Sequence, residues 1–173
     1  MNELAQALQQ TLTQDIPITR HMNITVESFD EKGLVLKAPL MGNTNPKGTA
    51  FAGSINSLVT LTGWGLIWLV LKELDIAADV VIQNSWINYM RPVTDDFTAL
   101  CSRPGQDEIE KLEQGLRKKG KARLELNVEI RQRDEVVVEF KGRYVVRMMS
   151  PERGEDDKRD TLSGSSLKKE PAQ

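Results

Sequence analysis

Hydrophobic and polar positions are ordered most clearly near the end of the chain. From Ala122 to Ile130, the apolar set Ala122, Leu124, Leu126, Val128 and Ile130 alternates with Arg123, Glu125, Asn127 and Glu129. From Val136 to Met148, the set Val136, Val138, Phe140, Gly142, Tyr144, Val146 and Met148 alternates with a series that carries Glu139, Lys141, Arg143 and Arg147. A period of two predicts strands with one dry face and one wet face, and Arg133-Asp134-Glu135 predicts the hairpin between them. Ile24–Asp30 and Leu34–Leu40 predict a second hairpin, with Gly33 in its turn. Phe97–Ser102 predicts a shorter strand. Val80–Val93 carries apolar residues on both parities, so the strand predicted there is covered on both faces or meets a partner subunit, and Pro92 ends its regular pairing.

Helical spacing dominates elsewhere. Leu4, Ala5, Leu8 and Leu12 predict a short amphipathic helix over Asn2–Leu12, packed on the outside of the domain and ended by Asp15–Pro17. Phe51–Leu74 is apolar nearly all round, which predicts a long helix buried on most of its faces. Gly63 and Gly65 weaken it locally, and their expected use is close approach to a neighbouring backbone. Met41–Gly48 is a loop, and Arg103–Gly120 is a charged connection with a helical turn around Glu108–Leu116. One apolar helix cannot cover its own surface, whereas one curved sheet can wrap it. The expected fold is therefore α+β, a long central helix inside an antiparallel sheet of about six strands. The domain runs over 1–149. The polar stretch 150–173, with Leu162 and Leu167 as its large apolar residues, predicts a disordered tail.

Composition narrows this picture. The 173 residues fit one domain plus tails, and the 39% hydrophobic share agrees with one unpacked segment. A net charge of −2 argues against nucleic-acid binding through overall charge. The single cysteine, Cys101, forms no internal disulfide and suits a reducing, cytoplasmic compartment. Met1–Gln14 lacks the basic and apolar regions of a secretory signal. Phe51–Leu71 is long enough for a bilayer, but the amphipathic strands that follow need a core, so no membrane span is expected.

Two motifs carry a family resemblance. The run from Asn45 through Thr49-Ala50-Phe51-Ala52-Gly53-Ser54 into the apolar helix resembles the Asn-loop-His-Gly-Gly start of the helix in hotdog thioesterases. Ile87–Val93, with Arg91-Pro92, and the strand after it resemble the strand-Arg-Pro-turn-strand of the same family. With Gly63-Trp64-Gly65, the stretch from Asn2 to Met149 resembles the thioesterase domain of the YiiD C-terminal type, often found behind a GNAT acetyltransferase domain. An acetyltransferase activity is not carried over. The resemblance implies a hotdog fold and a homodimer or a tetramer of paired dimers, with sheets joined edge to edge and sites between subunits. It also implies an acyl-CoA or acyl-carrier-protein thioester as ligand, with CoA as part of the substrate and no separate cofactor.

Thioester hydrolysis needs an oxyanion donor and a positioned water. Free N–H groups at the helix start supply the first, which nominates Ala52, Gly53 and Ser54, with Gly53 allowing the closest approach. The alternative is that Gly53 only relieves packing there. The resemblance places Phe51 at the usual histidine and Thr60 at the usual helix carboxylate. No Asp or Glu occurs between Lys32 and Lys72, so that carboxylate base is absent. Asn45, Asn56 and Thr60 could orient a water without ionising; the competing reading is that Asn56 and Thr60 satisfy core hydrogen bonds. Asp95 or Asp96 could reach in from a partner, although turn acids are usually solvated. Trp64, Trp68 and Trp86 are candidates for an acyl tunnel, against core or dimer packing. Phe51, Asn56, Trp64, Tyr89 and Arg91 form the expected substrate-binding set. Arg91 is the best phosphate contact; Lys119, Lys121 and Arg123 are expected on a solvated face. His21 is the one histidine, which excludes a His-carboxylate dehydratase and a Ser-His-Asp triad, and no metal-ligand spacing is present. A non-catalytic acyl-thioester binding module and a structural dimerisation domain are the rival functions.

Overall fold

The helix predicted from the apolar run organises everything else. In the computed structural model, which describes residues 2–149, it is α3, Ala52–Glu73. The tail expected from 150 onward lies outside the described residues. By length and composition α3 could cross a bilayer, but eleven of its residues, from Ile55 to Leu71, are buried inside this domain. Before it come α1 (Glu3–Asp15), a single turn α2 (Ile18–His21), and the hairpin β1 (Thr25–Asp30) and β2 (Gly33–Ala38). After it come β3 (Ala78–Tyr89), β4 (Phe97–Ser102), α4 (Gln106–Lys119), β5 (Lys121–Gln132) and β6 (Glu135–Met148). The six strands form one sheet in the order β1-β2-β4-β5-β6-β3, with every pair antiparallel. This is the hotdog arrangement expected from the sequence.

The dry faces of β5 and β6 meet α3 through Leu124, Leu126, Val128, Ile130, Val138, Phe140, Tyr144 and Val146, all buried. Asn2 caps α1, its side chain accepting from Ala5 N at 2.8 Å. Leu8 and Leu12 then join the same core.

Several details depart from the sequence expectation. Gly63 and Gly65 do give close approach, but to side chains rather than a backbone. A Cβ on Gly63 would run into the Tyr144 ring and hydroxyl, and one on Gly65 would lie 3.0 Å from Leu34 Cδ2 and 3.1 Å from Leu8 Cδ2. The connection from Arg103 to Gly120 holds a full helix. Ile109, Leu112 and Leu116 bury one stripe of α4, and Gly120 ends it at φ +64°. Val137 and Val145 are buried on the face expected to be wet, while Met148, at the end of the dry set, is exposed. The third strand stops at Tyr89; Met90 and Arg91 both donate their N–H to Val137 O instead of continuing a regular ladder. Within this chain β3 is not covered on both faces. Among the described residues it pairs only with β6, and Val81, Trp86 and Tyr89 stay exposed along it.

Candidate active site

The loop that leads into α3 is built around two asparagines. Asn45 Oδ1 accepts from Lys47 N at 2.8 Å and Thr49 N at 3.4 Å, and its Nδ2 donates to Thr49 Oγ1 at 2.8 Å and Ala50 O at 3.2 Å. Its amide thus shapes the loop, and none of these bonds reaches toward Thr60. Asn43, which the sequence did not single out, is 2% exposed. Its Nδ2 donates to Met22 O and Pro39 O, and its backbone carbonyl accepts from Phe51 N at 2.7 Å. Asn43 Oδ1 is buried with no hydrogen-bond partner among the described residues. Nothing in the sequence separates Asn43 from the other loop polars, because its role comes from contacts with a distant turn.

Phe51 is the residue before α3, in extended geometry, and its side chain supplies no cap. Among the described residues, the N–H groups of the first turn are therefore left without intrahelical or side-chain acceptors at the positive end of the helix dipole. The Phe51 ring folds over Gly53, where a Cβ would collide with it, while over half of Phe51 remains exposed. Tyr89, the last residue of β3, reaches the same turn: its hydroxyl donates to Ala52 O at 3.2 Å. Partial burial pushes that phenol above its ordinary pKa. Phe51, Gly53, Ser54 and Tyr89 are brought together at this one corner.

Further along the helix, Thr60 and Trp64 sit one turn apart on a half-buried flank of α3. With Ile16, Leu61, Val80, Val81, Ile82 and Tyr144 they line an apolar groove of about 300 Å³. The Trp64 indole donates to Val80 O at 3.0 Å, and the Tyr144 hydroxyl donates to Thr60 O at 2.9 Å. Thr60 lines the groove, and no Asp, Glu, His, Lys or Arg stands among the lining residues. Burial drives the Tyr144 phenol well above its ordinary pKa, so it stays a neutral donor. Ile16 was missed at the sequence level, since it precedes Pro17 outside any periodic run.

The remaining candidates fall elsewhere. Asn56 is exposed on α3 and does not line the groove. Arg91 forms a surface ion pair with Glu135. Asp96 accepts from Leu40 N at 2.9 Å, and Asp95 accepts from the Thr94 hydroxyl, so both serve turns. Trp68 carries Lys72 Nζ 5.0 Å from its ring centre, and Trp86 is exposed on the outer face of the sheet. Among the described residues, no cluster of His, Cys, Asp or Glu could hold a metal ion.

A buried helix wrapped by an open six-stranded antiparallel sheet, with an uncapped helix start at one end and an apolar groove on its flank, defines a thioesterase-type hotdog domain. Residues 5–148 match the family described as "Putative thioesterase (yiiD_Cterm)", and the chain belongs to that family. Similar solved structures include a protein of unknown function from Chlorobaculum tepidum, 30% identical, with a TM-score of 0.81 over 84% of this chain and 95% of that one. A "putative thioesterase" from Shewanella oneidensis is 34% identical, with a TM-score of 0.77 over 86% of this chain and 100% of that one. A protein from Pseudomonas aeruginosa described as a "Probable Thioesterase" shares the fold at 21% identity, with a TM-score of 0.73 over 83% and 95% of the two chains.

Proposed function

We propose that this protein hydrolyses an acyl thioester, carried by CoA or an acyl-carrier protein, as a homodimer joined edge to edge through β3 in a reducing cytoplasm. The observation that carries this reading is the apolar groove beside Thr60 and Trp64, on the flank of the helix whose uncapped start lies at Gly53. An acyl chain fits the groove through burial of its methylenes, each contributing about 0.8 kcal/mol. The thioester carbonyl then meets the first turn of α3. Water adds to the carbonyl carbon, the Gly53 N–H receives the developing oxyanion, and collapse expels the thiolate, leaving acid and thiol. The Thr60 hydroxyl, about 10 Å along α3 from Gly53, positions the water for the site of the other subunit without taking a full charge, in place of a carboxylate. Asn45 contributes by fixing the loop ahead of the helix. The exposed side chains of β3 and its unpaired edge support the dimer, because a long apolar edge strand invites pairing with a second copy.

Thiol release from a panel of acyl-CoAs of increasing chain length tests the proposal. Wild-type protein is expected to turn over, with Gly53→Pro, which removes the N–H in a first turn that tolerates proline, lowering kcat on the order of a hundredfold. Phe51 is exposed enough to swing clear of the new ring, and circular dichroism checks that the variant folds. Thr60→Ala is expected to lower kcat by about tenfold or more with little change in KM. Full activity in folded Gly53→Pro overturns the oxyanion assignment. A second reading is an acyl-thioester binding module. It is favoured by the lack of any ionisable base among the groove-lining residues, and binding of acyl-CoA or acyl-carrier thioesters without turnover would establish it.

A further inference from the structure

Basic side chains on the outer face of the sheet, away from α3, mostly have acids to bond. Glu125 accepts from Lys141 at 2.9 Å and from Arg143 Nε at 2.7 Å, and Arg131 holds Glu129 at 2.7 Å. One corner breaks this arrangement. Lys121 in β5 stands directly opposite Arg147 in β6, and Arg123 follows on the same face two residues along. Directly opposed like charges destabilise a strand pair. The repulsion, from Arg147 first and Arg123 next, lowers the proton affinity of Lys121. None of the three is ion-paired among the described residues; Arg123 Nε donates only to the neutral Gln83 Oε1, at 3.3 Å. Asp79 in β3 lies opposite Arg147 on its other side. Three cations and one carboxylate therefore share a concavity of about 370 Å³, walled by Val81 and Val145.

We propose that this corner is a phosphate-binding site, in which Lys121, Arg123 and Arg147 take a phosphate or diphosphate group and Val81 and Val145 face the organic part that carries it. The excess of about two positive charges matches a phosphate, which bears −1.5 to −2 near neutral pH. The chain as a whole is at −2, so the attraction is local. A ligand here also explains why these cations are left in mutual repulsion where Lys141, Arg143 and Arg131 on the same face have acids to bond. Val81 lines both this concavity and the apolar groove. A nucleotide-borne thioester and a free phosphate share this chemistry, and the first of these sources alone rests on the thioesterase reading.

Calorimetric titration of the full chain with inorganic pyrophosphate tests the site directly. Wild-type protein is expected to bind, with affinity falling as salt rises. Lys121→Gln and Arg147→Gln are each expected to weaken binding by about tenfold, while Arg131→Gln, outside the corner, leaves it unchanged. The unliganded Lys121→Gln protein should melt no lower than wild type, because it relieves repulsion; a purely structural role for the lysine would lower its melting temperature. Equal binding by Lys121→Gln/Arg147→Gln and wild type, or no wild-type binding at about 0.1 M salt, overturns the site. CoA competing with pyrophosphate, where phosphate-free pantetheine does not, assigns the phosphate to a nucleotide-borne ligand. Pyrophosphate binding without competition by CoA assigns it to a free anion and overturns the nucleotide source. None of these readouts involves turnover, so failure of the thioesterase reading leaves them intact.

Discussion

Tyr144 is a phenol placed fully inside the core, and it is tolerated because two other residues make room and provide a partner. Gly63 leaves the space its ring end occupies, and Thr60 O accepts from its hydroxyl at 2.9 Å. A buried hydroxyl without that partner would lose about 1–3 kcal/mol. Gly63→Ala brings two opposing effects. Alanine favours the helix interior over glycine by about 1 kcal/mol. Its methyl, however, would meet a ring that is packed on all sides, and overpacking of that kind costs about 1–3 kcal/mol. The second effect wins, so urea denaturation is expected to show Gly63→Ala destabilised by up to about 2 kcal/mol. An alanine variant more stable than wild type would mean that Tyr144 can shift freely. The need for a small residue at Gly63 was legible beside Trp64 in the sequence. What would fill the gap was not, because Tyr144 lies 81 positions further along the chain.

Elements were legible where one period dominated. The alternation in β5 and β6 and the unbroken apolar run of α3 left little choice of structure, and Gly33, at φ +142°, turns the first hairpin as expected. Two elements blurred for different reasons. The stripe of Ile109, Leu112 and Leu116 is narrow against a charged background, so α4 showed as a single turn rather than fourteen residues. The mixed parity of β3 reflects two demands on one strand: Val80 and Ile87 pack on the core, while Val81 and Trp86 point outward along a free edge. The candidate site's uncapped helix start was legible, because Gly53 follows a turn-rich loop. It was not legible in Tyr89 bonding Ala52 or in the buried Asn43, which depend on contacts between distant segments. The free edge of β3 carries its own prediction. A lysine is the residue that edge strands use to discourage pairing. If the proposed dimer forms through this edge, Val81→Lys/Trp86→Lys is expected to sediment as a monomer at micromolar concentration where wild type sediments as a dimer, with the circular-dichroism spectrum retained. A double variant that sediments with wild type would place the subunit contact on another surface.

Across the whole molecule, stability is tied to pH through groups that the fold keeps uncharged. Cys101 is the clearest, a thiol with no exposed surface between Leu34 and Val128 in register, and burial raises its pKa from 9.0 to about 12. Below pH 9 the folded and unfolded chains both hold that proton, and its contribution to stability is complete. As pH rises above 9 the unfolded chain releases the proton while the folded chain keeps it, so folding becomes less favourable by up to about 1.4 kcal/mol per pH unit. Tyr144, whose pKa is raised by burial and then by the nearby Cys101, adds to the slope once the unfolded phenol titrates above 10.0. The carboxylates work in the opposite direction at the acid end. Hydrogen bonds from Lys141 and Arg143 hold Glu125 below its ordinary value, but it is fully exposed and its share is small. Urea unfolding between about pH 8 and pH 11 should therefore show a falling midpoint with onset near 9. Cys101→Ala lowers the neutral-pH midpoint by leaving a small cavity, yet it should flatten the curve between 9 and 10 and leave only the tyrosine limb above it. A Cys101→Ala curve parallel to wild type through that window would mean that the folded thiol ionises as readily as the unfolded one, and that the β4 strand opens to solvent in the native state.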